Sequence, residues 1–539
     1  MVAAHRLFRR AARDWRGRLF VVVAVSLFSM QAWAAPGDLD TSFGSGFGRV
    51  RTVFDGQILS YFSTPSGDAW GQPSITLQPN GKIIVAAGCK SGATYDWCVL
   101  RYEANGSADA SFGVAGIRVV DMRGTNDNLA GVALQADGKI VVAGSCGATG
   151  TSGTGADFCA VRLTASGALD ASFGTGGKVF TSVRDFDDTA TGVAIQADDK
   201  IVLAGFCAAS ASTTMSIEDC VVRYTADGVL DTSFSGDGKL IVRPSGVVTP
   251  VTVYNRANSL AIAADGKIIV AGSSTVFPDA NLRIARILPN GTLDTSFSTD
   301  GIASVNPASG WIVAQSVAIQ PDGQLLVAGT RVGGCGGPSQ CVMAMRFTDA
   351  GVPDTAFGNA GTVLLDASAI AFYNAHAVAL QSDGKILLAG LATTGVPPVK
   401  FVYARLHGDG TLDQSFATNG IGTTGFAAGN TDYGFGVAIQ PDGKVLQVGA
   451  CFGPTAFCVA RYEGGAFGAR NCSLDIDGDG RVLATTDMLI GTRVALGITG
   501  SAVLNGITFA TNAARDEWGT NGSRDIRKYL VTQCGMSVR

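Results

Sequence analysis

Histidine is almost missing from this chain, with three in 539 residues: His5, His376 and His407. A histidine-built metal centre is thereby excluded, and imidazole acid–base chemistry is confined to two positions beyond the N-terminal segment. Charge is scarce as well. Asp, Glu, Lys and Arg make up 16% of the residues and the formal net charge is −4, so the basic stripe that nucleic acid requires is absent. Beyond the first thirty or so residues no apolar run is long enough to span a bilayer as a helix. What is abundant is glycine, 72 residues of it. Plentiful glycine with little charge fits short strands joined by tight turns better than surface helices.

The N-terminus reads as an export signal. Arg6, Arg9, Arg10, Arg13, Arg16 and Arg18 precede an apolar stretch from Leu19 to Met30, too short for a comfortable transmembrane span. Ala32-Trp33-Ala34 supplies a small-x-small cleavage pattern, which places residues 1–34 in the signal and the mature start near Ala35. The paired Arg9-Arg10 lies too far from the apolar run to indicate the twin-arginine route.

The body of the chain repeats itself. The phrase Leu39-Asp40-Thr41-Ser42-Phe43-Gly44 returns in altered form around Phe112, Phe173, Phe234, Phe297, Phe357 and Phe416. A second phrase, typified by Gly131 to Gly144, places Lys or Gln at 82, 139, 200, 267, 324, 385 and 444. A third, apolar-x-Arg-apolar, centres on Arg101, Arg162, Arg223, Arg286, Arg346, Arg405 and Arg461. Val132 to Gln135 (strand A) and Ile140 to Ala143 (strand B) flank an Asp-Gly turn, as a hairpin requires. Strand C runs through Cys159 to Leu163 and strand D through Gly177 to Val183, with Asp170 and Ser172 turning the corner between them. Phe173 is expected to plug the core between neighbouring units.

A four-stranded sheet cannot bury both faces alone, but sheets stacked radially can. The first element is a D strand at Phe47 to Val53, and the last unit has A (Val437 to Gln440), B (Val445 to Val448) and C (Phe457 to Tyr462) without a D. The leftover pieces make one blade. The expected fold is therefore all-β: a seven-bladed β-propeller of four-stranded antiparallel blades over residues 35–464, closed by the N-terminal strand. These phrases resemble the delta-60 repeat family of bacterial surface and secreted proteins. That resemblance implies a propeller and no particular reaction.

Twelve cysteines in an exported chain point to disulfides. Cys89/Cys98, Cys146/Cys159, Cys207/Cys220, Cys335/Cys341 and Cys451/Cys458 each join the end of strand B to the start of strand C within one blade. Cys472 and Cys534 bracket the C-terminal segment, residues 465–539. Dispersed pairs with almost no histidine argue against a metal site.

In that segment Asp475-Ile476-Asp477-Gly478-Asp479-Gly480-Arg481 begins an EF-hand-like loop. Asp475, Asp477 and Asp479 converge on Ca2+, Arg481 offers its backbone carbonyl, and Asp487 closes the site one residue later than usual. Helices are expected at 486–496 and 525–533. The loop resembles that of dockerin type I modules. Dockerins carry two loops and this chain has one, so a structural Ca2+ is favoured over docking to a cohesin-like partner.

Antiparallel alternation puts the A–B and C–D turns on one face and the B–C and D–A connections on the other. The second face differs from blade to blade and carries the cysteines, which makes it the place for recognition. Its aromatics include Trp70, Trp97, Tyr254, Trp311, Tyr373 and Tyr433, suited to a glycan or a protein partner. The leading expectation is a secreted or surface-associated, non-catalytic binding or scaffold protein, an intercellular adhesin being the variant with a different partner. The alternative is an extracellular polysaccharide hydrolase or lyase at the channel mouth, with His376 or the acids Asp185, Asp187 and Asp188 as candidates.

Overall fold

The computed structural model describes residues 35–53, 72–147, 155–184, 186–209, 217–243, 254–276, 279–307, 310–335, 340–365, 371–393, 399–427, 430–452 and 456–464, with the single positions 490 and 526. Residues 1–34, expected to be the signal, and nearly all of 465–539 lie outside these. Ile490 and Ile526 are helical and buried.

The described secondary structure is otherwise almost entirely β. After β1 (Arg49–Val53) come β2 (Ser74–Leu77), β3 (Ile83–Ser91), β4 (Thr94–Tyr102) and β5 (Ile117–Val120), one antiparallel sheet in sequence order. The same four-strand meander follows in β6 (Asp127–Leu134), β7 (Ile140–Cys146), β8 (Asp157–Leu163) and β9 (Lys178–Thr181). Next are β10 (Asp188–Ile195), β11 (Ile201–Ala208), β12 (Ile217–Tyr224) and β13 (Lys239–Ile241), then β14 (Tyr254–Ile262), β15 (Ile268–Val276), β16 (Asp279–Ile287) and β17 (Ile302–Val305). These two sets touch through a single parallel pair, Ile217 with Tyr254, and so form one eight-stranded sheet. Two more meanders are β18 (Trp311–Ile319), β19 (Leu325–Val332), β20 (Gln340–Phe347) and β21 (Thr362–Leu365), and β22 (Ala371–Leu380), β23 (Ile386–Thr393), β24 (Lys400–Leu406) and β25 (Ile421–Thr424). Finally β26 (Asp432–Ile439), β27 (Val445–Cys451) and β28 (Ala456–Tyr462) accept β1 as their fourth strand.

The inner strands close on themselves: β2 packs on β6, β6 on β10, and so on through β14, β18, β22 and β26, which returns to β2. Each inner strand except β2 carries a bulge, at Ala130, Thr191, Asn258, Gln315, His376 and Phe435 in turn. The extra residue bends the strand and raises its local twist. The next strand outward runs close beneath it. A Cβ on Gly144 would lie 1.9 Å from the carbonyl oxygen of Asn128, so only glycine fits there.

The cores lie between sheets. Ile84, Trp97, Val99 and Phe112 of one set meet Leu129, Val132, Ile140 and Val142 of the next. Each seam is locked by the repeated Arg, Asp and Phe, with Ser between the last two in all but one, where Ala356 stands. Asp170 turns the corner with its Oδ1 accepting the Ser172 N–H (3.1 Å) and hydroxyl (2.7 Å). Its Oδ2 takes the Arg162 Nε at 2.9 Å, and Arg162 donates from Nη2 to Ser172. Arg162 lies over the Phe173 ring and donates from Nη1 to Ala226 O in the following set, at 2.5 Å. Arg101, Arg223, Arg286, Arg346 and Arg405 reach forward to Ala165, Pro289, Asp349, Gly408 and Gly464 in the same way. Phe112 lies against Gly167, whose φ of +85° and missing side chain leave it room.

Ring closure uses the same parts split between the two ends of the array. Arg461 on β28 pairs with Asp40 (2.6 Å) and donates to Ser42, and its Nη1 donates to Ala104 O in the first sheet. Gly37 N donates to Glu463 O, so residues from both ends share one turn. The closing strand begins at Arg49, not at Phe47, whose side chain is exposed in the turn before it.

Candidate functional site: the variable face

The rim formed by the B–C and D–A connections departs from this regularity. Five disulfides sit along it: Cys89–Cys98, Cys146–Cys159, Cys207–Cys220, Cys335–Cys341 and Cys451–Cys458, with Cα–Cα distances of 5.7 to 6.1 Å. Four occupy one register. In β7 and β8, Cys146 lies opposite Asp157 and Cys159 opposite Gly144, and the pair bridges the diagonal. Cys335–Cys341 departs from that register, since Cys341 lies opposite Arg331 and Cys335 is in the loop. The sets without a disulfide put Ser274 and Arg283, or Ala392 and Val402, in the cysteine positions. Arg283 then bridges backward, to Asp219 and to Val242 O. Cys472 and Cys534 fall outside the described residues, as do Asp475, Asp477, Asp479, Arg481 and Asp487, the residues expected to hold calcium.

Two rows of acids line this rim, and of their members the sequence reading named only Asp188. Asp96, Asp157 and Glu218 each stand two residues before a disulfide cysteine, 61 residues apart. Asp127, Asp188 and Asp432 each open an inner strand. The 61-residue spacing was the available signal; a row needs two repeats laid side by side to be seen. Asp127 Oδ2 accepts the Met122 N–H at 2.9 Å, Asp188 Oδ2 accepts those of Val183 and Arg184, and Asp432 Oδ2 that of Phe426. In all three the other oxygen is buried without a hydrogen-bond partner. Burial pushes the Asp127 carboxyl up to about 7 and that of Asp188 to about 6.

The first row is mostly paired with arginine. Asp157 meets Arg123 at 2.7 Å, and Glu218 meets both Arg184 and Arg243. Asp96 instead shares its surroundings with Asp121 and Asp127, the carboxylate oxygens of all three within 4.8 Å of one another.

The aromatics expected on this face divide. Trp311 opens β18 and is 44% exposed. Tyr254 and Tyr433 are half-buried, and Tyr433 packs edge-to-face on Phe452 at 5.5 Å. Trp97 is a correction: it has 0% exposure, because its register turns the ring into the seam against Met122 and Leu129. Tyr373 lies on β22 with its side chain outside the described set, and Trp70 lies outside it altogether.

The candidates for catalysis are scattered. His376 occupies the second of two bulges of β22, mid-strand, packed 4.9 Å from the Phe435 ring that fills the bulge of β26. Its Nδ1 is 3.5 Å from Gln72 Nε2, and burial lowers the imidazole to about 4, which keeps it neutral at pH 7. His407 lies on the opposite rim, 3.7 Å from Asp413. Asp187 accepts the Ala156 N–H at 3.0 Å, and Asp185 is outside the described residues.

Five segments of the chain, 78–112, 135–173, 196–234, 263–297 and 381–416, match the model of a β-propeller domain of unknown function, DUF5122. Each segment ends on the phenylalanine that plugs a seam. No curated relative matches the chain. Among solved structures, the polysaccharide lyase Uly1 is 13% identical with a TM-score of 0.46, the alignment covering 77% of this chain and 98% of that one. A protein of unknown function from Dyadobacter fermentans is 13% identical with a TM-score of 0.37, covering 77% and 99%. The GH43_1 enzyme from Xanthomonas citri, complexed with xylotriose, is 11% identical with a TM-score of 0.27, covering 52% and 84%. The repeats are those of a β-propeller.

Proposed function

We propose that this is an exported, seven-bladed β-propeller of delta-60 type that acts as a binding or scaffold protein through its variable rim. The observation that carries the reading is the division of labour between the rims. One rim spends the same Arg, Asp and Phe on every seam, with Ser beside them in all but one, while the other changes its cross-links, its charges and its exposed rings from set to set. Variable loops on a rigid ring are the usual form of a recognition surface. Trp311, large and 44% exposed at the start of an inner strand, is the anchor we assign to a glycan or protein ligand. The five disulfides support an oxidising compartment. On the strength of its carboxylate spacing alone, the C-terminal segment is assigned a structural Ca2+ held by Asp475, Asp477, Asp479, Asp487 and the Arg481 carbonyl, next to a Cys472–Cys534 bridge.

The test is a glycan and protein-partner binding screen on the full chain beside a panel of polysaccharide hydrolysis and lyase assays. A ligand whose affinity falls at least about tenfold in Trp311→Ala supports the reading, that being the loss expected for an interfacial aromatic anchor. Turnover that disappears in His376→Ala or Asp187→Ala overturns it in favour of an enzyme.

A further inference from the structure

We propose that Asp96, Asp121 and Asp127 form a binding site for a hard divalent cation, Ca2+ being the ion whose chemistry fits, at the seam between the β2–β5 sheet and β6. The site is separate from the C-terminal loop and uses residues of three elements: Asp96 on β4, Asp121 just beyond β5, and Asp127 at the first position of β6.

The donor geometry is the first argument. One carboxylate oxygen from each residue lies within 4.8 Å of the others, the spacing at which a single ion is shared. Asp96 and Asp127 are each 2% exposed, whereas Asp121 faces solvent and leaves a way in. The donors are all oxygen, with no nitrogen or sulfur ligand among them, which selects a hard cation over zinc or copper.

The second argument is an atom that lacks a partner. Asp127 uses Oδ2 to hold the Met122 N–H, but its Oδ1 is buried with no hydrogen-bond donor. A buried carboxylate oxygen without a donor is costly unless something positive meets it. Thr125, in the same Asp121-to-Asp127 connection, has its Oγ1 buried without a partner as well. A cation held by the trio meets the Asp127 carboxylate.

The third argument comes from the repeat itself. The position of Asp96 is held by Asp157 one unit on and by Glu218 one further. Arg123 neutralises Asp157, and Arg184 with Arg243 neutralises Glu218. At Asp96 the position that matches Arg243 is itself an acid, Asp121. Lys178 acts electrostatically on Asp96 and Asp127, and its Nζ donates to the backbone oxygens of Asp121 (2.5 Å) and Met122 (3.4 Å). Lys239 makes the same backbone contact to Ser182 O one unit later, where the acid, Asp157, already has Arg123. The lysine is therefore a constant of the architecture and does not stand in for the missing arginine. Three acids beside one ammonium keep the cluster negative, which attracts a divalent ion.

The experiment uses the full chain carrying Asp475→Asn, Asp477→Asn and Asp479→Asn, which silences the C-terminal loop whether or not that loop binds calcium. Tb3+ serves as the probe, because Trp97 adjoins Asp96 in the chain and sensitises terbium luminescence. The expected result is one saturable, tryptophan-excited signal that Ca2+ displaces. Asp121→Asn, an exposed change that keeps the side-chain carbonyl for the Gly124 N–H, should weaken binding by about tenfold or more. Asp157→Asn, at the arginine-paired position, should leave it unchanged. Absence of saturable luminescence and of a calcium-dependent heat signal overturns the site, as does an Asp121→Asn chain that binds as tightly as its parent.

Discussion

Arg286 and Arg283 stand three residues apart on β16, and they bridge in opposite directions. Arg286 pairs with Asp294 at its own corner and reaches forward to Asp349 in the next set. Arg283 takes a position that is cysteine in four other sets, and reaches back to Asp219. The first contact recurs at every seam, the second at none of the other described ones. A ring needs each unit to fit two neighbours, so the contact that sets the fit must be common to all units. The rim beyond it is free to differ, provided each unit finds some cross-link of its own: a disulfide, an arginine pair or, at Ala392 and Val402, simple apolar packing.

The largest expected effect therefore lies on the uniform rim. Arg162→Met leaves buried Asp170 with Lys139 at 3.4 Å as its one cation, takes the Nη2 donor from Ser172, and leaves Ala226 O only the Gln135 Nε2 at 3.3 Å. Removing one partner of a buried ion pair costs about 3–5 kcal/mol. The matched change on the variable rim, Arg123→Met, breaks a pair whose arginine side chain is 37% exposed. That loss should stay below about 1 kcal/mol. Urea unfolding of the two variants measures the contrast; equal losses would mean that the rims share the load.

The disulfides come next in size. Joint Cys146→Ala and Cys159→Ala opens a loop of 13 residues' separation. The expected loss is about 2–3 kcal/mol, from the unfolded-state entropy that the bridge had removed. The hairpin of β7 and β8 retains its full ladder, so the loss should appear as a lower unfolding midpoint with unchanged far-ultraviolet circular dichroism. A collapse of the spectrum would mean that the bridge, not the ladder, specifies the hairpin.

The same contrast decides what was legible in the sequence. Phe43, Asp40 and Arg461 could be read as one interrupted unit, because the latch reuses the same residue types at every turn of the ring. The bulge could not, since Ala130, Thr191, Asn258, Gln315, His376 and Phe435 share only a backbone shift. His376 consequently looked like a free channel residue and is one of a row of packing residues. Trp97 misled for a related reason. It stands next to Asp96 on the rim in sequence, but alternation along β4 turns its ring inward. The acid trio was hidden because its members belong to different repeats, and one-dimensional spacing does not say which repeats touch.

The smallest effect separates the rims by pH. At the latch, the Ser172 hydroxyl first, then its N–H and Arg162, hold Asp170 at about 2 against the opposing cost of burial. A carboxyl depressed below its unfolded value of about 3.9 adds stability that is complete above that value and lost only as pH falls toward 2. On the variable rim, burial raises Asp188 to about 6. Here the folded state holds its proton more tightly than the unfolded chain does, so Asp188 favours folding at low pH and loses that contribution as pH rises through about 6. His376, lowered to about 4, acts in the opposite sense, because the unfolded chain gains a proton below about 6.5 that the folded one does not. The wild-type profile is the sum of such opposing groups, and Asp188→Asn isolates one of them. Melting temperatures from pH 7 to pH 5 should rise less on acidification in Asp188→Asn than in the wild type, while Asp170→Asn is lower throughout that range by a constant amount. If Asp188→Asn leaves the slope unchanged, the Asp188 carboxyl is solvated and the variable rim is more open than its packing indicates.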